Sequence, residues 1–125
     1  MMGMRRGTRL LRIGVLASMA LSLASRAQPP HTWTPTTSLI GKVESALHMP
    51  PGTALNGYTR YYYGVFQHRH RLLMGIFVRD GDTPAVHVTS PEKVPKLFEG
   101  GCNVVNVKYD VDAGKVLAIF CNGSA

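Results

Sequence analysis

The chain has 125 residues, of which 45% are hydrophobic, and a formal net charge of +7. A basic balance of this size is typical of proteins that bind nucleic acid or anionic membranes. Five of the 14 basic residues, however, lie among the first 27 residues, whereas all seven acidic residues lie after them. Residues 28–125 are therefore nearly neutral, which excludes nucleic acid as an expected partner, and they are enough for one small domain.

The first 27 residues have the order of a cleavable secretory signal. A basic head precedes an apolar run over residues 13–23, which is too short to cross a bilayer comfortably. Ser25 and Ala27 then place small residues three and one positions before Gln28. We predict cleavage after Ala27 and a periplasmic or secreted mature protein, without a membrane span. The basic head consists of Arg5, Arg6, Arg9 and Arg12.

A helix is predicted near the start of the mature chain. Residues 28–37 are expected to form an extended leader, because three of them are prolines. The helix is expected to begin at Thr37 or Ser38, either of which can cap it, and the Pro-Pro-Gly sequence of residues 50–52 stops it. Its apolar positions recur at a spacing that buries one side against a sheet. These positions are Leu39, Val43, Ala46 and Leu47.

Beyond the helix the sequence is typical of β-strands, with aromatic and β-branched residues separated by polar turns. Residues 67–70 are of hairpin-loop length, residues 79–83 form a turn, and residues 91–98 form a short helical crossing. The five predicted strands cover residues 58–66, 72–78, 85–88, 103–109 and 115–120. Residues 38–125 are therefore predicted to form one α+β domain. It has one main N-terminal helix packed on an antiparallel sheet of about five strands, and a disulfide-linked β-hairpin closes it.

The last two predicted strands form the best-defined hairpin, because both alternate and residues 110–114 make a turn that ends in glycine. The two cysteines of the chain, Cys102 and Cys121, flank it. In an oxidising compartment such a pair in a small domain is expected to form a bridge. Placing the cysteines opposite each other puts Lys108 opposite Lys115. The same register predicts one shared face composed of Val105, Val107, Tyr109, Val116, Ala118 and Phe120.

Several short motifs in the second half of the chain are distinctive. They are Gly100-Gly101-Cys102-Asn103-Val104-Val105, Tyr109-Asp110 and Cys121-Asn122-Gly123, preceded by Tyr58-Thr59-Arg60-Tyr61-Tyr62. Together they resemble a group of small exported bacterial proteins that has no assigned function, and the likeness covers roughly residues 55–125. The resemblance implies an envelope location and a Cys102–Cys121 disulfide. It implies no activity, and no residue gains a catalytic role from it.

His68 and His70 form the most suggestive metal-binding pattern. Residues two apart on a strand project from the same face, so both imidazoles could bind one zinc or copper ion. His87 is a candidate third ligand, with His48 and His31 as alternatives. The competing interpretation is that both histidines are solvated at the tip of a hairpin.

Residues 58–66 have the highest density of aromatic side chains in the chain. On a strand, Tyr58, Tyr62 and Phe66 share one face, and Tyr61, Tyr63 and Val65 share the other. Tyrosine and arginine are enriched in protein interfaces. The predicted contact with a partner is therefore composed of Tyr58, Arg60, Tyr62 and Phe66, with Arg60 as its anchor. The competing interpretation is a central strand covered on both faces.

The sequence has no arrangement of residues typical of nucleophilic catalysis. Asp110 and Asp112 begin like a calcium loop, but the glycine comes one residue early and Cys121 stands in place of the final glutamate. We interpret both as turn residues. We therefore expect a small, exported, non-enzymatic binding protein of the bacterial envelope, without a cofactor, whose partner is an envelope protein or ligand. The alternative is a periplasmic protein that binds zinc or copper through His68 and His70.

Overall fold

The fold is a six-stranded sheet with one α-helix against it, seen in a computed structural model that describes Gly3, residues 31–79 and residues 84–124. The predicted signal, the start of the leader and residues 80–83 of a predicted turn lie outside the described residues. The class is α+β, as predicted, with the sheet as the larger part. The elements are β1 (Thr32–Trp33), α1 (Thr37–Ala46), β2 (Thr59–Gln67), β3 (His70–Val78), β4 (Val86–Val88), β5 (Val104–Asp110) and β6 (Lys115–Cys121).

The β2–β3 hairpin is the centre of the sheet. Its two nine-residue strands pair antiparallel along their whole length, β5 pairs antiparallel with β3, and β6 with β5. The edge of β2 that faces away from β3 pairs with β1 at Gly64 and Val65, and with β4 at residues 60–62. β4 runs parallel to β2, which differs from the prediction of a wholly antiparallel sheet. β4 thus shares this edge of β2 with β1, on the side of β2 that faces away from β3.

Helix α1 begins where the sequence predicts, and its cap is one residue earlier, at Thr36. The Thr36 hydroxyl accepts a hydrogen bond from the backbone N–H of Leu39 at 3.2 Å. The helix ends at Ala46, because Leu47 already has extended backbone, before the chain reaches Pro50. β1 precedes α1, so the helix is not the first element.

The core lies between α1 and one face of the sheet, which we call the inner face. From the helix it takes Val43, as predicted, and Ile40, which the predicted stripe omits; Ala46 is exposed. Tyr62 and Phe77 meet at the centre with their rings edge to face, 5.5 Å apart. Tyr58 joins this core from the position just before β2. The sheet contributes Tyr62, Leu73, Phe77, Val105, Val107 and Tyr109.

Strand β1 lies within the predicted leader, residues 28–37, and is a full member of the sheet. The Trp33 side chain donates a hydrogen bond from its indole N–H to the Val65 carbonyl at 2.9 Å. Its ring lies directly over Gly64, where an added Cβ would be 2.5 Å from Trp33 Cδ2 and Cε2. The folded sheet therefore starts before residue 38.

The register of the β5–β6 hairpin differs from the predicted one. Val105 pairs with Cys121 and Val107 with Ile119, so the inner face carries Val116, Ile119 and Cys121 rather than Val116, Ala118 and Phe120. A β-bulge between Lys108 and Tyr109 shifts the pairing near the turn. Lys108 consequently lies opposite Ala118, and Lys115 lies opposite Asp110 instead of a second lysine.

The Cys102–Cys121 disulfide is present, as predicted, with the two Cα atoms 4.6 Å apart. Cys102 is not in a strand opposite Cys121; it lies in the 3-10 turn Gly101–Asn103 that leads into β5. Gly100 and Gly101, both with positive φ, reverse the chain there and bring Cys102 beside the end of β6. Among the described residues, no helix is long and apolar enough to cross a membrane.

Candidate functional site

The side chains predicted to contact a partner are mostly buried. We call this set (Tyr58, Arg60, Tyr62 and Phe66) the tyrosine row. Tyr58 and Tyr62 are 0% exposed in the core, because α1 covers the face of β2 that carries them. Phe66, at the far end of the strand, is 40% exposed. A contact surface that uses all four predicted side chains would require the core to open, so only Phe66 is accessible to a partner in this fold.

Arg60, the predicted anchor, is engaged within the domain. Its Nε donates to Glu44 Oε1 at 2.8 Å and its Nη1 donates to the Leu55 carbonyl at 2.8 Å. The Tyr62 hydroxyl donates to the same Glu44 oxygen at 2.9 Å. Burial, and next the nearby Glu44 carboxylate, raise the pKa of Tyr62 well above its ordinary value. These bonds fix α1 on β2, and the row is structural.

The predicted histidine set does not come together. His68 and Arg69 form the two-residue turn between β2 and β3, each with positive φ, so His68 does not share a strand face with His70. His87 lies on β4, where its ring stacks on Tyr61 with centroids 5.1 Å apart. Of the three candidates, His70 is the one that meets other metal-binding groups within residues 31–79 and 84–124.

His70 contacts the turn between β5 and β6, which the sequence did not predict. Its Nδ1 lies 2.9 Å from Asp110 Oδ2, and ligand atoms of His70, Asp110 and Asp112 all lie within 4.8 Å of one another. Asp112 also accepts from the backbone N–H of Arg71 at 2.6 Å and from its guanidinium at 3.0 Å. We call these four residues (His70, Arg71, Asp110 and Asp112) the tip cluster.

The carboxylates of the tip cluster are held in their ionised form. Backbone N–H donation from Ala113 is the largest influence that lowers the pKa of Asp110, and donation from Arg71 is the largest that lowers the pKa of Asp112. The Arg71 guanidinium supplies compensating positive charge, and it also lies 5.7 Å from the centre of the Trp33 ring. The cluster therefore joins the β2–β3 turn to the β5–β6 turn.

A groove of about 670 Å³ runs across the other face of the sheet, which we call the outer face. Its floor takes one residue from each of four strands: Tyr63, Ile76, Asn106 and Phe120. Its wall is the segment of residues 91–100, which we call the strap. The strap begins with a 3-10 turn at Pro91–Lys93 and continues without regular structure, which differs from the predicted helical crossing at residues 91–98.

Two asparagines hold the strap on the sheet. Asn122, just after β6, donates from its amide to the Leu97 carbonyl at 2.7 Å and to the Glu99 carbonyl at 3.1 Å. Asn106 in turn donates to the Asn122 side-chain oxygen at 2.6 Å. Val94 is the strap residue that is buried. The groove thus has a wall fixed by hydrogen bonds.

The rim of the groove exposes large apolar side chains. Phe98 is 85% exposed, Phe120 is 54% exposed and Leu97 is 44% exposed, and all three line the groove. Scattered exposed apolar residues are ordinary, whereas a contiguous apolar patch beside a concavity marks a binding surface. The groove is therefore the strongest candidate site.

The sequence contained one signal for this groove. A single helix covers one face of a sheet. The aromatic and aliphatic residues on the opposite face, such as Tyr63, must therefore pack against another segment or stay exposed. The pair Leu97-Phe98, between Lys96 and Glu99 at the end of the segment predicted as a helical crossing, forms the second part of the site. Their convergence depends on how residues 91–100 cross the sheet, which no local pattern specifies.

Comparison with known proteins adds no family to this description. No protein-family model, no curated protein and no solved structure matches the chain significantly. The groove and the tip cluster are the features from which a function can be inferred.

Proposed function

We propose that this chain is an exported, non-enzymatic binding protein of the bacterial envelope, and that it binds an apolar ligand or apolar partner surface in the outer-face groove. The single observation that carries the proposal is the exposure of Phe98, Phe120 and Leu97 around one concavity. The proposal replaces the tyrosine row on β2 with the groove as the contact site.

The construction of the groove supports binding. Its volume of about 670 Å³ is within the range of roughly 300–1,000 Å³ typical of small-molecule sites. Its floor belongs to a hydrogen-bonded sheet and its wall is tied down through Asn122, so binding would require little ordering of the protein. The exposed apolar groups are then already in place.

Two observations are compatible with export. The Cys102–Cys121 disulfide is of the kind found in oxidising compartments. The first 27 residues have the order of a cleavable signal. The resemblance to small exported bacterial proteins is part of the same proposal.

Titration with N-phenyl-1-naphthylamine, an uncharged apolar dye, tests the binding site. The oxidised protein comprising residues 28–125 should enhance the dye's fluorescence with a saturable curve. Phe98→Ser and Phe120→Ser should each weaken dye binding severalfold, because each removes an aromatic ring from the rim. Phe66→Ser is the matched control, since Phe66 is also an exposed phenylalanine but lies outside the groove.

Thermal melts of the same variants separate loss of binding from loss of folding. The proposal stands if Phe98→Ser and Phe120→Ser melt like Phe66→Ser but bind the dye more weakly. Absence of saturable binding, or equal weakening by Phe66→Ser, would show that the groove is not the site.

A second candidate function is binding of a zinc or copper ion at the tip cluster. The observation that favours it is the approach of His70, Asp110 and Asp112 ligand atoms to within 4.8 Å. Arg71 already donates three hydrogen bonds to the Asp112 carboxylate. A metal ion would have to displace the Arg71 guanidinium, so we expect the tip cluster to bind zinc or copper weakly. Calorimetric titration with zinc tests this function: heat that is lost in His70→Ala but retained in His68→Ala supports it, and no heat contradicts it.

A further inference from the structure

We propose that the ligand of the groove is an amphipathic anion: a free, single-chain apolar molecule whose carboxylate meets Lys96. This inference rests on the proposed function and specifies the chemical class of ligand for the same site. Three features of the groove support it: the described lining carries one charged side chain, some polar groups of the lining are free to bond to a ligand, and the groove has the size of a small-molecule site.

Lys96 is the one charged residue among the described side chains that line the groove. Within this part of the chain, no carboxylate lies within 4.0 Å of its ammonium group, and ion pairs are formed instead by Arg60, His70 and Arg71. An ammonium at the rim of an apolar concavity favours an anionic head group, because the low-polarity wall strengthens the attraction.

Among the described residues, no acidic side chain lines the groove. Glu92 and Glu99 lie on the strap but outside the lining, and both are exposed. Glu92 is further engaged, since hydrogen bonds from its own backbone N–H and from Ser90 lower the pKa of its carboxyl. The described lining thus carries positive charge at Lys96 and no negative charge.

The remaining polar groups of the lining differ in availability. The side-chain amide of Asn122 and the amide nitrogen of Asn106 are used in holding the strap. The Tyr63 hydroxyl forms no hydrogen bond with another described residue, and burial raises the pKa of Tyr63, which keeps the hydroxyl protonated as a donor. Lys96 and Tyr63 therefore offer donors to a ligand, and Lys96 is the charged one of the two.

The dimensions favour a small free molecule. A groove of about 670 Å³ is of the size that encloses one drug-sized ligand rather than a large partner surface. Tyr63, Ile76, Phe98 and Phe120 supply the apolar contacts for a hydrocarbon tail. The carboxylate of such a ligand would be stabilised by the charge of Lys96, and its tail by burial against these apolar side chains.

Isothermal titration calorimetry with decanoate and its uncharged amide, decanamide, tests the ligand class on the oxidised protein. Decanoate should bind at one site, about five- to tenfold more tightly than decanamide, the advantage of one hydrogen-bonded charge at a partly exposed site. Lys96→Gln should reduce decanoate binding to the level of decanamide and leave decanamide unchanged. Lys93→Gln is the matched control, because Lys93 is on the same strap but outside the lining.

The outcomes separate the two proposals. Equal binding of both probes, unaffected by Lys96→Gln, overturns the anionic class and leaves the apolar groove as the binding site. Failure of both probes, together with failure of the naphthylamine dye, overturns both proposals. Co-sedimentation with phosphatidylglycerol vesicles without binding of free decanoate overturns the free ligand in favour of a membrane lipid.

Discussion

Trp33 and Gly64 join the first strand to the sheet through a contact that has no room for a side chain on the glycine. The Trp33 ring covers Gly64, its indole N–H bonds to the Val65 carbonyl, and Arg71 lies against the ring. β1 has only two residues, and this contact adds to the pairing of both of them with β2. A short edge strand is thus held partly by one aromatic side chain.

Gly64→Ala should therefore release β1. The new methyl would overlap both the Trp33 backbone carbonyl oxygen and the Trp33 ring, so Trp33 must shift away from Gly64. Since Trp33 is the one tryptophan of the chain, its fluorescence emission should shift to longer wavelength and the midpoint of urea unfolding should fall. Gly57→Ala, where nothing lies within 4 Å of an added Cβ, should leave emission unchanged. An unshifted emission in Gly64→Ala would contradict the contact.

Tyr62 contributes a second residue-scale interaction, through its hydroxyl bond to Glu44. Tyr62→Phe should lower the free energy of unfolding by roughly 1.5–3 kcal/mol, because it removes a buried bond to a charged group. Tyr61→Phe, on the outer face, should change it by about 0.5 kcal/mol or less. Urea denaturation of both variants measures the difference. Equal effects would show that the Tyr62 hydroxyl does not hold α1 on β2.

At the scale of elements, two hairpins meet through their turns. The β2–β3 turn brings His70 and Arg71 to the β5–β6 turn, where Asp110 and Asp112 accept their hydrogen bonds. The carboxylate pKa values are lowered in the folded chain, so ionised carboxylates contribute stability above their unfolded pKa of about 3.9. This contribution disappears as the pH falls through the lowered folded values.

The free energy of unfolding should therefore fall as the pH is lowered below about 4. Asp110→Asn and Asp112→Asn should each reduce this dependence, because asparagine has no proton to gain in that range. Glu99→Gln is the control, since the Glu99 carboxylate forms no ion pair with another residue that the structure describes. Urea unfolding curves between about pH 2 and 6 provide the measurement. A wild-type dependence that both aspartate variants retain would contradict the role of the tip cluster.

The elements themselves were largely predictable, because each depends on local periodicity. All five predicted strands, the start of α1 and the disulfide are confirmed. The predicted register of β5–β6 was wrong, because the prediction assumed that the two cysteines faced each other on adjacent strands. The β-bulge and the glycine-rich turn before Cys102 change that alignment, and neither has a strong signature in one sequence.

Across the whole molecule, the disulfide joins the turn before β5 to the end of β6, which also forms one end of the groove. Cys102→Ser/Cys121→Ser should lower the free energy of unfolding by about 3 kcal/mol, the value expected for a loop of this length. It should also weaken dye binding, because residues 121–123 line the groove. Urea denaturation and dye titration of the double variant measure both effects. Unchanged stability would contradict a structural role for the bridge.

The sites were harder to predict than the elements for a physical reason. The groove brings Tyr63 together with Phe98 and Phe120, which are separated widely in sequence and meet only after the strap crosses the sheet. The tip cluster likewise unites His70 with Asp110 across 40 positions. Conversely, the tyrosine row appeared as a surface in the sequence because a buried aromatic strand and an exposed one share the same alternation.

The most direct test of the groove as the binding site is a two-dimensional ¹H–¹⁵N NMR titration of the oxidised protein with decanoate. Perturbed resonances should be confined to the strap and to the floor of the groove, at Tyr63, Ile76, Asn106 and residues 120–123. Resonances of α1 and of the tip cluster should stay unchanged. Perturbations centred on the tip cluster or on Phe66, or saturating ligand without any perturbation, would contradict the account.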